Sequence, residues 1–254
     1  MIAALSAATL TACGVDEATD GAETGTVEQG ISGIGMTGWV SCSSVGGCQV
    51  PIGTVQFGQR CYISGIRGDL SFGGITFIGG GQPGSTLSLV VRPGPNRTLA
   101  AAATCISGVT TSFDGTWSSS SGSATSLGSG SGRQCAISGI TNSNGLQTSS
   151  ENVMTWQNDG TWFLGGTVGS GHSISAQATC WDGATVAGAV GWYDFSQFDP
   201  LSYSPAHSGM GCAPTKFQGA FTNSVAQVYS YFNGNNQTWN LDVNRAGGDV
   251  TCFF

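Results

Sequence analysis

The body of this chain is written three times over, at positions 31 to 105, 106 to 180 and 181 to 254, with a period of about 75 residues. Each copy has a glycine in its third position (Gly33, Gly108, Gly183) and then a tryptophan (Trp39, Trp117, Trp192). It continues with Gly-x-x-Cys ending at Cys61, Cys135 or Cys212, a hairpin pattern, and a closing Ala-Thr-Cys or Val-Thr-Cys at Cys105, Cys180 or Cys252. A catalytic site is normally one constellation in one place, whereas a constellation built three times serves shape or multivalent binding. Phe253 and Phe254 stand in the slots where Ile106 and Trp181 begin the following copies.

The repeat reads as strands. Cys61-Tyr62-Ile63-Ser64-Gly65-Ile66 and Cys135-Ala136-Ile137-Ser138-Gly139-Ile140 are nearly the same peptide, and Cys212-Ala213-Pro214-Thr215-Lys216-Phe217 is a diverged version. Apolar residues at the first, third and sixth positions predict a half-buried strand with an irregularity before the last of them; Pro214 predicts an edge position in copy three. A hairpin follows in each copy, clearest where Val153 to Gln157 and Thr161 to Leu164 flank Asn158-Asp159-Gly160, since Asp-Gly supplies the positive φ of a tight turn. The tips, 79 to 84, 157 to 160 and 233 to 237, differ between copies. With 42 glycines, 8% charged residues and no long amphipathic helical pattern, the composition suits short strands and many turns.

Eight of the nine cysteines lie in the repeated body, and internal symmetry narrows their pairing. Cys61-Cys105, Cys135-Cys180 and Cys212-Cys252 would staple each copy to itself and leave Cys42-Cys48 as a local pair. Cys105-Cys135, Cys180-Cys212 and Cys252-Cys61 would close a ring instead. The first scheme is preferred, because a 75-residue unit is marginal alone and a loop of about 40 to 45 residues gains roughly 4 kcal/mol from its crosslink. Such pairs imply an oxidising compartment. No Cys-x-x-Cys occurs and His172 and His207 stand apart, so neither a metal nor another cofactor is expected.

The ninth cysteine belongs to a different signal. Met1 to Gly14 is apolar and small-residued, and its Leu10-Thr11-Ala12-Cys13 resembles the lipobox of bacterial lipoproteins. The resemblance implies cleavage of residues 1 to 12 as a signal peptide and lipidation of Cys13. Gly14 is similar to residues that permit export to the outer membrane. Gly14 to Gly30 carries Asp16, Glu17, Asp20, Glu23 and Glu28 with no basic residue, the composition of a disordered acidic tether. A net charge of -7 argues against nucleic acid as a partner. The charge is uneven, because copy one sets Arg60, Arg67, Arg92 and Arg97 against Asp69 alone.

Candidate chemistry is sparse. Asp114-Gly115-Thr116-Trp117 and Asp159-Gly160-Thr161-Trp162, with Gln237-Thr238-Trp239 as a partial third, place an acid or amide near an indole. That pairing suits sugars: a carboxylate accepts hydroxyl hydrogen bonds while the ring covers the apolar face. The competing reading makes Asp-Gly turn chemistry and each tryptophan the first inward residue of a strand. Trp39, Trp117 and Trp192, at matching positions, are expected to pack inside their units, against the disulfides. A hydrolase would need one cleft uniting non-repeated residues such as Asp194, Asp199 and His207.

The sequence thus predicts an all-β protein of three tandem, disulfide-stapled, sandwich-like or barrel-like units, at 31 to 105, 106 to 180 and 181 to 254. The second arrangement is one closed body with pseudo-threefold symmetry. The expected function is noncatalytic binding or adhesion at the cell envelope, with a membrane partner through the lipid only and a glycan as ligand at the hairpin tips. A secreted hydrolase and a structural envelope protein are the alternatives.

Overall fold

The computed structural model describes residues 33–79, 82–109, 112–130, 132–184, 186–194, 199–205, 210–235 and 238–253. The expected signal segment, Cys13 and the expected tether lie outside them, as does His207. The described chain is all-β, with one short 3-10 turn at Ser119–Ser121. Copy one supplies β1 (Gly33–Met36), β2 (Val40–Cys42), β3 (Cys48–Thr54), β4 (Arg60–Gly68), β5 (Gly74–Ile78), β6 (Thr86–Arg92) and β7 (Leu99–Ser107). Copy two supplies β8 (Ser112–Ser118), β9 (Thr125–Ser129), β10 (Arg133–Ser143), β11 (Asn152–Asn158), β12 (Thr161–Thr167) and β13 (Ser173–Asp182). Copy three supplies β14 (Val186–Asp194), β15 (Asp199–Pro205), β16 (Gly211–Gly219), β17 (Gln227–Asn233), β18 (Thr238–Asn244) and β19 (Ala246–Phe253).

These strands form three antiparallel sheets, each drawing on two copies. The first runs β1-β7-β4-β17-β18-β15, with β2 also on β7; the second runs β3-β6-β5-β10-β13-β8; the third runs β14-β19-β16-β11-β12-β9. The order repeats: in every sheet the opening, closing and post-cysteine strands of one copy accept a hairpin and a further strand from another. The copies are therefore not three independent sandwiches. They interlock in the pseudo-threefold manner of the second expected arrangement, and one core takes residues from all three sheets, among them Ile66, Leu89, Ile137, Leu164, Phe217 and Val243. None of the sheets closes into a barrel, since each ends in edge strands.

All four disulfides of the self-stapling scheme are present: Cys42–Cys48, Cys61–Cys105, Cys135–Cys180 and Cys212–Cys252. The three long-range ones join residues directly opposite each other in β4 and β7, β10 and β13, and β16 and β19, with Cα atoms 4.0 Å apart. The residues that follow the cysteines then meet on the pseudo-axis. Tyr62, Ala136 and Ala213 form a small second core with Ile106, Trp181 and Phe253.

The expected strand irregularity is a β-bulge at the same place in each copy. Pairing skips Ser64 between Ile63 and Gly65, Ser138 between Ile137 and Gly139, and Thr215 between Pro214 and Lys216. Pro214 is not on an edge strand, because β16 lies between β19 and β11. It is tolerated there because β11 pairs only with Lys216 to Gln218, so no ladder on that side needs a proline N–H.

Candidate functional site

The hairpin tips do not hold the acid-plus-indole pairs. Asp159 and Gly160 form the two-residue turn between β11 and β12, with φ of 47° and 74°, as the Asp-Gly signal requires. Asp159 is exposed, whereas Trp162 turns inward at 5% exposure and donates its indole N–H to Arg133 O at 3.0 Å. Trp239 repeats this in copy three, at 3% exposure and 3.2 Å from Met210 O. Both acceptors lie two residues before a stapling cysteine, so these tryptophans belong to the scaffold. The described tip residues bear no aromatic ring.

Asp114-Gly115 is not a turn at all: it lies within β8. Strand alternation sends exposed Asp114 outward and Trp117 inward, where its indole reaches Ser123 O at 3.0 Å. Gly115 is needed because a Cβ there would collide with Leu127. Asp114 lines a groove of about 290 Å³ on the outer face of the second sheet, with Arg60, Thr116 and Gln177. Asp194 and Asp199 are placed only as backbone positions on β14 and β15, and the side chain of Trp192 is likewise outside the described residues.

Glu151 and His172 make the one described His–carboxylate pair, with Nδ1 2.5 Å from Oε1. The carboxylate is buried, and it also accepts from the backbone N–H of Gln147, Thr148 and Gly169. Burial pushes its pKa up, but these hydrogen bonds outweigh burial and leave it below the ordinary glutamate value. Its acceptor capacity is taken up in holding two of the protein's own loops together.

The outer faces of the three sheets differ around the residue just after the bulge. It is Lys216 in the third sheet, 3.9 Å from Asp249. In the second it is Gly139, where a Cβ would meet the Gln177 amide. In the first it is Gly65, where a Cβ would meet the rings of Tyr229 and Trp39. Three outer faces thus carry three chemistries on one scaffold, and that of the first sheet is aromatic.

Trp39 reaches that face through a one-residue slip. Met36 pairs with Thr104 and Val40 with Ala101, so four steps on one strand match three on the other. Val40 takes the inward slot that Trp117 takes opposite Ala176, and Trp39 is thrown to the outside. The expectation that Trp39 packs inside its unit is corrected accordingly. Its ring centroid is 4.6 Å from that of Tyr229, which stacks on Tyr231 at 4.9 Å and 14°, while Arg67 lies over the indole at 4.8 Å. Tyr229 and Tyr231 are half-buried, and Asp242 pairs directly across from Tyr229. Asp242 is 6% exposed, its Oδ1 has no hydrogen-bond partner among the described residues, and burial raises its pKa to about 6. Beside this ladder of rings runs a groove of about 400 Å³ lined by Ser41, Arg67, Thr98, Ser224, Gln227 and Asn244.

Among the described residues no group of three or more His, Cys, Asp or Glu side chains is placed to hold a metal ion. A comparison with known protein families, curated proteins and solved structures finds no match to this chain. The function must be read from this chemistry.

Proposed function

We propose that this is a noncatalytic glycan-binding protein, held at the cell envelope, in the outer membrane, by lipid on Cys13, and that its ligand sits on the outer face of the first sheet. The observation that carries this reading is the Arg67–Trp39–Tyr229–Tyr231 ladder beside an open groove of hydroxyl and amide side chains. Sugar rings present apolar C–H faces to aromatic rings and equatorial hydroxyls to such polar groups. The groove lies within the range of roughly 300–1,000 Å³ usual for ligand sites. Binding without turnover fits the use made of Glu151 and His172, whose contacts are to the protein itself.

The test is retention of the full-length protein on immobilised cell-surface glycans. Specific capture is expected, with Trp39→Ala and Tyr231→Ala each weakening it at least tenfold. No capture at high protein concentration would remove the glycan reading. The anchor is tested separately: Cys13→Ala should move the protein from the membrane fraction to the soluble one.

A further inference from the structure

We propose that the groove selects saccharides bearing a carboxylate, and that Arg67 is the residue that takes it. This rests on the glycan reading and narrows its ligand class.

The cations of this protein are used unequally. Arg97 is paired with Asp69, Arg133 grips Asp182 through Nε at 2.7 Å and Nη2 at 3.1 Å, and Lys216 faces Asp249. Arg67, like the exposed Arg92 and Arg245, has no carboxylate within ion-pair distance among the described residues. Its guanidinium lies instead on the Trp39 ring. Stacking on an indole uses the flat face of the guanidinium and leaves its edge N–H groups, the ones that match a carboxylate in a bidentate fork. Contact with the indole also restrains the side chain before a ligand arrives, so less rotamer freedom is lost on binding.

The surroundings favour the same ligand. Arg67 is only half-exposed, and its attraction for an anion is stronger there than in open water. Apart from it, the groove is lined by neutral residues; Ser41, Thr98, Ser224, Gln227 and Asn244 offer hydroxyls and amides for the rest of a sugar. Among the described residues the nearby acids do not compete: Asp69 is held by Arg97, and Asp242 lies across from Tyr229, on the far side of the ring ladder. A ligand carboxylate on Arg67 with its ring against Trp39 or Tyr229 would use every element of the face.

The experiment compares matched acid and neutral sugars by titration calorimetry with the full-length protein at low salt. The pairs are trigalacturonate against its methyl ester, and sialyllactose against lactose. At least one acid is expected to bind tenfold or more tighter than its neutral partner. That margin should shrink as salt is raised and disappear in Arg67→Gln, with Arg67→Lys intermediate. Unchanged near-ultraviolet dichroism establishes that the variants are folded. If neutral sugars bind as well as the acids, or if Arg67→Gln keeps the preference, the inference falls and the glycan reading stands. If no glycan of any kind is bound, both fall.

Discussion

Trp181 stands edge-on to Phe253, with ring centroids 5.0 Å apart and planes at 68°, although one follows the last cysteine of copy two and the other that of copy three. Tyr62 of copy one stacks on Trp181 at 5.9 Å, and its hydroxyl donates to Cys212 O at 3.2 Å. The three copies meet here as they do in the shared core and through their exchanged hairpins, so they should unfold together. Trp181→Ala is expected to cost about 3–5 kcal/mol. Trp181→Phe should cost much less, because the indole N–H it removes is buried without a hydrogen-bond partner. Thermal unfolding followed by far-ultraviolet dichroism and by fluorescence should give one coincident transition in each protein. A separate step carrying a third of the signal would contradict the interlocked architecture.

The stapling disulfides enclose similar stretches of chain, with separations of 44, 45 and 40 residues. Paired Cys→Ser replacement at any of them is expected to lower stability by about 4 kcal/mol in the chain-entropy model, and by similar amounts. Cys42 and Cys48, six residues apart, should matter less. Nonreducing peptide mapping should recover Cys61 with Cys105; recovery with Cys252 would overturn the pairing.

How far the sequence could be read depended on what its signals were local to. Strand positions, the Asp159-Gly160 turn and the disulfides were legible because each follows from residues within one copy. Strand exchange was not, since a hairpin such as Ile75 to Val91 has the same alternation whichever neighbour it pairs with. The aromatic face was missed for another reason. Trp39 aligns with Trp117 by eye, yet 78 positions separate them, against 75 between Trp117 and Trp192. That surplus arises before the strand, because Ile34 opposite Ile106 and Ser112 opposite Trp181 are also 78 apart, so spacing left the slip that turns Trp39 outward without a trace. Nor did it show Arg67 beside Tyr229, which come from different copies and meet only through the pairing of β17 with β4.

Asp242 should make stability depend on pH in an unusual direction. Burial raises its carboxyl to about 6, above the ordinary aspartate value. The folded state therefore holds a proton that the unfolded state has released, and stability falls as pH rises through 6. Asp242→Asn removes that loss. It is expected to be more stable than wild type at pH 8 by roughly 1 kcal/mol, a Tm rise of about 2 °C, and equal to it near pH 4. Urea unfolding at both pH values checks this; equal gaps at both would show that the effect is not titration.

Glu151 works in the opposite sense. Its carboxylate lies below the ordinary value through its hydrogen bonds, so its contribution is full at neutral pH and is lost on acidification. Glu151→Gln keeps the shape but replaces one acceptor oxygen by an N–H₂ facing backbone donors. A loss of about 3 kcal/mol is expected at pH 7, shrinking towards pH 4. Hydrogen exchange should show the loops at 147 to 148 and 169 to 172 opening together in this variant, and exchange confined to one of them would argue against a shared staple.

Gly65 offers the sharpest separation of scaffold from site. A Cβ there would lie 2.5 Å from Tyr229 Cδ2 and 2.9 Å from Trp39 Cη2, so the rings must move. Its backbone conformation is one that alanine can adopt, which confines the damage to the ladder. Gly139 is the matched position on the second sheet, where a Cβ would meet Gln177 Oε1 at 2.9 Å, the end of a flexible side chain. Gly65→Ala should remain folded and lose glycan binding by at least tenfold, while Gly139→Ala binds as wild type. Equal losses in the two variants would mean that the first sheet holds no special place, and a loss in Gly139→Ala alone would move the site to the outer face of the second sheet.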